Sequence, residues 1–121
     1  MSKRILVVDD SRTVRQQVRL ALSLGGFEIV EACDGLDGHQ KLCEDTQIAA
    51  MICDINMPRM NGIELLEKLA AEGGGVPTVV LTTEGQPELI QRAKRAGAKG
   101  WIVKPFKADL LVAAVRKLAA A

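Results

Sequence analysis

Aromatic side chains are nearly missing from this chain: its 121 residues include no tyrosine, one tryptophan (Trp101) and two phenylalanines (Phe27, Phe106). That excludes a base-stacking platform for single-stranded nucleic acid. A charge excess of either sign is missing too. Lys and Arg number 16 against 15 Asp and Glu, and the basic residues are spread along the sequence, unlike the concentrated basic face of a duplex reader. There is one histidine, His39, and the three cysteines Cys33, Cys43 and Cys53 form no C-x-x-C pair. A zinc site wants closer ligands and more histidine, so three free thiols in a reducing compartment are expected. No apolar run approaches the length of a membrane span. Met1-Ser2-Lys3-Arg4 leads straight into a strand-length apolar run, so no signal peptide is expected and the expected location is the cytoplasm. The absence of G-x-x-x-x-G-K-[ST] excludes a P-loop nucleotide triphosphatase.

What is present is a hydrophobic fraction of 48%, enough for one domain over residues 1–121 with a real core. Strand and helix patterns alternate without linker or repeat. Ile5 to Val8 is a continuous apolar run, as in a strand covered on both faces. From Thr13, Val14, Val18, Ala21 and Leu22 keep helical spacing until Gly25-Gly26. Phe27 to Ala32 reads as a second strand, Asp34-Gly35 as a turn, and Leu36 to Cys43 as a short helix with Leu42 inward. Ile48 to Cys53 is the third strand. Gly62 to Ala71 is the third helix, buried along Ile63, Leu66 and Leu69 or Ala70, and Gly73-Gly74-Gly75 breaks it. Thr78 to Leu81 is the fourth strand, and Pro87 opens a fourth helix running to about Ala96. Gly100 to Val103 is the fifth strand and Ala108 to Leu118 the last helix. Strict alternation predicts an α/β, doubly wound, five-stranded parallel sheet flanked by five helices, with right-handed crossovers. Ligands of such sheets sit outside the carboxyl ends of the strands.

Chemistry-bearing residues fall at those ends. Asp9 and Asp10 close the first strand. Two adjacent carboxylates at a buried edge repel one another unless a cation sits between them, and a hard divalent ion such as Mg²⁺ prefers oxygen ligands. The competing reading is a helix cap made by Asp10 or Ser11. Asp54 follows the most apolar strand, and a carboxylate there becomes a nucleophile toward phosphorus when a metal neutralises the incoming charge. Asn56, two residues on, could add its backbone carbonyl to a metal shell, and Pro58 stops the segment from entering helix early. Thr82 offers a hydroxyl and Lys104 an ammonium, each suited to a phosphoryl oxygen. Taken singly, such residues are more often plain surface, so the signal lies in their joint placement. A cis bond at Lys104-Pro105 is the rare alternative for that pair, and would turn the lysine toward the acidic rim.

In order and spacing, the acidic pair, the D-x-x-M-P run at Asp54, Thr82 and Lys104-Pro105 resemble the receiver domain of two-component response regulators, and within it the CheY-like single-domain proteins. The resemblance covers essentially the whole chain. It implies the flavodoxin-like strand order 2-1-3-4-5, which the residue pattern by itself does not give. It implies Asp54 as phosphoacceptor, and a Mg²⁺ site of Asp9, Asp10, Asp54 and the Asn56 carbonyl, with Asp10 and Asp54 as direct carboxylate ligands. Thr82 takes the role of switch hydroxyl and Lys104 that of phosphate-binding lysine. At the aromatic switch position stands Trp101, bulkier than the usual Tyr or Phe and able only to donate a hydrogen bond. The alternative for Trp101 is simple packing over the sheet edge.

The expected protein is thus not an enzyme in the ordinary sense. It catalyses only its own phosphorylation and dephosphorylation, with a histidine kinase as donor, a motor switch or other downstream protein as reader, and room for a phosphatase. It is expected to be a monomer without nucleic-acid or membrane partners. Asn56 and Glu84 match the modulating pair of chemotaxis proteins and tilt the reading to a chemotaxis or motility effector. The alternatives are a phosphorelay intermediate or phosphate sink, or a receiver belonging to a larger regulator. Two rivals fit less well. A haloacid-dehalogenase-type phosphatase needs an acid where Asn56 stands, and a flavin phosphate would be repelled by Asp9-Asp10.

Overall fold

The computed structural model describes residues 3–57, 59–83 and 87–120. Ten elements alternate along the chain: β1 (Arg4–Val8), α1 (Arg12–Leu24), β2 (Glu28–Ala32), α2 (Gly35–Glu44), β3 (Ile48–Asp54), α3 (Gly62–Ala71), β4 (Thr78–Thr82), α4 (Pro87–Arg95), β5 (Gly100–Val103) and α5 (Ala108–Ala120). All strand pairs are parallel and their order is β2-β1-β3-β4-β5. This is the flavodoxin-like, CheY-type architecture.

The central strands are apolar on both sides because each side meets a helix layer. Leu6, Val8, Met51, Cys53 and Val80 join one core with Ile63, Leu65, Leu66 and Ala93 from α3 and α4. Their neighbours Ile5, Val7, Ala50, Ile52, Val79 and Leu81 join the other with Val18, Leu22, Leu111 and Val115 from α1 and α5. Period-two alternation sorts the strand residues to the two layers, except at the start of β3, where a register shift against β1 puts Ile48 and Ala50 in opposite cores. Full burial of each such aliphatic side chain stabilises the fold by about 1.5–3 kcal/mol. The same alternation sends Asp54, at the end of β3, and Asp9 and Lys104, one step past the ends of β1 and β5, to the α1/α5 side.

Several boundaries differ from the sequence pattern, each for a local reason. Helix α1 starts at Arg12, since Ser11 caps it by accepting from the Val14 N–H. Asp34-Gly35 is no free turn: Asp34 is the N-cap of α2, and Gly35 is its first residue. In α3, Leu65 is buried beside Ile63, Leu66 and Leu69, whereas Ala70 is exposed. Helix α3 wedges into the core deeply enough to bury a wider stripe than one narrow face.

Candidate functional site

The carboxyl edge of the sheet is tied together before any side chain is considered. The strand ladders run on into the loops: Asp9 N–H donates to Ala32 O (3.1 Å), Ile55 N–H to Leu81 O (3.1 Å) and Lys104 N–H to Thr82 O (2.7 Å). Each chemistry-bearing loop thus leaves the sheet from a position fixed by its neighbour.

Within that frame, Asp9, Asp10 and Asp54 each offer a carboxylate oxygen within 4.8 Å of the others. Asp9 and Asp54 are buried and Asp10 is exposed, so the acidic pair straddles the rim instead of lying wholly within it. The Lys104 ammonium reaches Asp9 Oδ2 at 3.0 Å and Asp54 Oδ2 at 3.3 Å, after a Lys104–Pro105 peptide bond that is cis. Among the described residues it is the one cation in ion-pair contact with any of the three acids. Asp9 is held further by the Ser11 N–H on Oδ1 (2.9 Å) and by Arg15, whose Nη1 donates to the Asp9 carbonyl (2.7 Å). Asp54 Oδ1 accepts a long bond from the Asn56 N–H, at 3.4 Å.

The electrostatics follow. Burial first, and the Asp9 charge second, push the Asp54 carboxyl above its ordinary range, against Lys104 and the Asn56 N–H. Burial works against the Lys104 charge, but the bond to Asp9 and the fields of Asp54 and Asp9 outweigh it and raise its pKa. Three carboxylates around one ammonium leave an excess of hard oxygen donors and negative charge. This donor set fits a small divalent cation such as Mg²⁺, which Asp9, Asp10 and Asp54 could hold.

Thr82 is fully buried at the end of β4, opposite Val103. Trp101 lies on the edge strand β5, 43% exposed, with Lys94 Nζ 4.3 Å from its ring centroid. The indole thus sits outward under a cation from α4. Asn56 is exposed beside Asp54. Pro58, Glu84 and Gln86 lie outside the described residues.

Two charged contacts had no counterpart in the sequence pattern. Arg15 reaches back from α1 to the Asp9 carbonyl, and Arg59 pairs with the buried Asp34. A carboxylate just before a glycine and a helical run is an N-cap signal that would have found Asp34, but nothing local signals its partner.

Comparison with known proteins gives the family. The family model of the response regulator receiver domain matches residues 5–116. The chain is 38% identical over 111 residues to the chemotaxis protein CheY1 of Helicobacter pylori, covering 89% of this chain and 90% of that protein. It is 36% identical over 118 residues to the response regulator MprA of Mycobacterium ulcerans, covering 98% of this chain but only 50% of MprA. Against that relative, the chain spans about half the length. Among solved structures, the chemotaxis response regulator CheY4 of Vibrio cholerae superposes with a TM-score of 0.88 at 34% identity, over 98% of this chain and 99% of that one. With its carboxyl-edge acids, strand-end threonine and lysine, and CheY-type sheet order, the chain belongs to the response regulator receiver family, a signalling domain and not a classical enzyme.

Proposed function

We propose that this domain accepts a phosphoryl group on Asp54 from the phosphohistidine of a histidine kinase, or from a small acyl phosphate, in a Mg²⁺-dependent reaction in the cytoplasm. A carboxylate oxygen of Asp54 attacks phosphorus, the bond from phosphorus to the imidazole nitrogen breaks, and the nitrogen leaves with the electron pair. The products are an aspartyl phosphate and a histidine. The observation that carries this reading is Asp54 itself: buried, raised in pKa, and within 3.3 Å of the Lys104 ammonium at the edge where the other acids converge.

When bound by Asp9, Asp10, Asp54 and the Asn56 carbonyl, Mg²⁺ supplies charge neutralisation to the incoming phosphoryl oxygens. Lys104 then pairs with a phosphoryl oxygen in place of its present carboxylates. Thr82 donates its hydroxyl to another. That movement changes the space beside Trp101, and with it the face made by α4, β5 and α5, which a downstream protein reads. A shift of a few kcal/mol is enough to change which arrangement dominates. The CheY1 and CheY4 relatives, similar to this chain over nearly their full length, favour a chemotaxis or motility output. The half-length match to MprA favours a second reading, a receiver within a larger regulator.

The test is labelling with acetyl phosphate and Mg²⁺. Acid-stable, base-labile phosphorylation is expected in the wild type and absent from Asp54→Asn. Label that persists in Asp54→Asn rejects the assignment. Weakened Mg²⁺ binding and phosphorylation together are expected for Asp10→Asn.

A further inference from the structure

The loop from β3 to α3 carries Asn56 away from Asp54, and its far end is fastened to a different part of the molecule. Arg59 adopts a left-handed backbone, φ 64°, which costs a non-glycine residue energy unless its surroundings hold it there. Its guanidinium grips Asp34 through both Nε, at 2.7 Å from Oδ2, and Nη2. Asp34 is only 3% exposed, and its other oxygen accepts from the Asp37 N–H at 2.9 Å to cap α2. One residue on, Met60 O accepts from the Gly35 N–H at 2.9 Å. The backbones are so close that a Cβ on Gly35 would lie 2.5 Å from Met60 O. At the loop's end, Gly62 N–H returns to Ile55 O (3.2 Å), and a Cβ there would lie 2.3 Å from Asp54 O.

Asp34 also stands two residues after Ala32, whose carbonyl fixes the Asp9 N–H. The Arg59–Asp34 ion pair therefore ties the β2–α2 loop, bonded to Asp9 through Ala32, to the β3–α3 loop, which runs back to Asn56 and Asp54, and so adds a second tie to the one Lys104 makes between Asp9 and Asp54. Among the described residues it is the one ion pair joining the β3–α3 loop to another element.

The geometry points to Arg59, clamped on Asp34, as a positioning residue that sets the spacing between the Asp9/Asp10 loop and the Asp54/Asn56 loop, and so the affinity of the site for a divalent cation. This rests on the reading of the acid cluster as a Mg²⁺-dependent phosphoryl-accepting site. Arg59 touches neither the cation nor the phosphoryl group. It acts through the backbone it restrains, as outer partners of metal ligands do. Lys104 and the three acids make the site chemically competent, and the clamp decides how nearly it is preformed.

The test uses the full chain with Arg59→Gly, Arg59→Lys, Asp34→Asn and the double variant Arg59→Gly/Asp34→Asn. Glycine accepts a positive φ freely, so Arg59→Gly removes the guanidinium without straining the backbone. Asparagine still caps α2. Mg²⁺ binding is measured by calorimetry without phosphodonor, and the initial rate of labelling by acetyl phosphate is followed against Mg²⁺ concentration.

Arg59→Gly and Asp34→Asn are each expected to weaken Mg²⁺ binding by about 10-fold, within the range for outer partners of metal ligands. The labelling rate at saturating Mg²⁺ should stay near that of the wild type. The double variant should be no worse than either single one, and Arg59→Lys should recover part of the loss. Unchanged Mg²⁺ affinity in both single variants, or fully additive losses in the double, overturns the clamp. If Arg59→Gly does not fold by circular dichroism, Arg59→Gln takes its place with the same expectations. A wild type that binds Mg²⁺ but takes no label on Asp54 counts against the parent reading alone, and the calorimetry still decides the clamp. A wild type that binds no Mg²⁺ overturns both.

Discussion

Asp34 and Asp54 are both buried and both face a cation, yet they end in opposite condition. Asp34 is 3% exposed and Asp54 4%. Burial pushes both carboxyls upward. At Asp34 this is outweighed by the Asp37 N–H and the Arg59 guanidinium, so its pKa falls below the ordinary range. At Asp54 it is reinforced by Asp9, and Lys104 must serve both acids, so the pKa rises. One region spends its cation on a single carboxylate and is finished. The other has two buried acids sharing one ammonium, with a third carboxylate at the rim. The two buried acids differ in how many acids share each cation, more than in depth of burial.

The largest effect that would break this comparison is expected at the finished site. Asp34→Ala loses the α2 cap and the Arg59 pair, and should destabilise the protein by about 1–2 kcal/mol, most of it from the cap because Arg59 is largely exposed. Urea unfolding with an unchanged slope measures this, and a loss near zero would mean that Asp34 holds nothing. A change of opposite sign is expected at the unfinished site. In buffer free of divalent ions, Asp54→Asn leaves Lys104 with one acid to serve. It should stabilise the fold on the order of 1 kcal/mol, seen as a rise of several degrees in Tm. A fall would show that the rim is not overcharged.

The smallest effect is the pH dependence of Asp34. Its folded pKa lies below the ordinary value of 3.8, so between the two the unfolded chain binds more protons than the folded one. Its contribution is therefore fully present above the ordinary carboxylate range and is lost as pH falls through the folded pKa. Comparing wild type with Asp34→Asn in acid unfolding should show a shallower loss in the variant. The difference should be less than about 1 kcal/mol, because solvent screens Arg59. Parallel curves would show that the Asp37 N–H and Arg59 do not hold the Asp34 pKa down.

Legibility in the sequence followed the range of the interactions. Strand ends were readable because apolar runs such as Ile5-Leu6-Val7-Val8 stop abruptly at polar residues, and Gly62–Ala71 and Gly100–Val103 have the bounds that their patterns suggest. The meeting of Asp9, Asp54 and Lys104 was readable because parallel strands bring their carboxyl ends to one edge. Asp34 was misread as part of a turn, since the same Asp-Gly pair serves a turn and a capped helix start alike. Its partner Arg59 lies 25 residues away across a loop, and no periodicity encodes such a contact. Lys94 over Trp101 was hidden for the same reason, as it depends on how α4 lies against β5.

The glycines divide the molecule in a way that bears on how it tolerates change. Among the described residues, the four with positive φ, Gly26, Gly73, Gly75 and Gly97, all lie in turns entering strands, at the edge opposite the acids. Beside Gly26, Gly73 and Gly97 there is open space, whereas Gly35 and Gly62 at the acidic edge have none. A side chain added at Gly73 or Gly74 meets no neighbour, and the entropic cost of lengthening such a loop grows only slowly with length. A residue added between Asp54 and Gly62 has to displace backbone already in contact. Sequence drift and grafted reporters therefore have more room beside Gly26, Gly73 and Gly97 than beside Gly35 and Gly62.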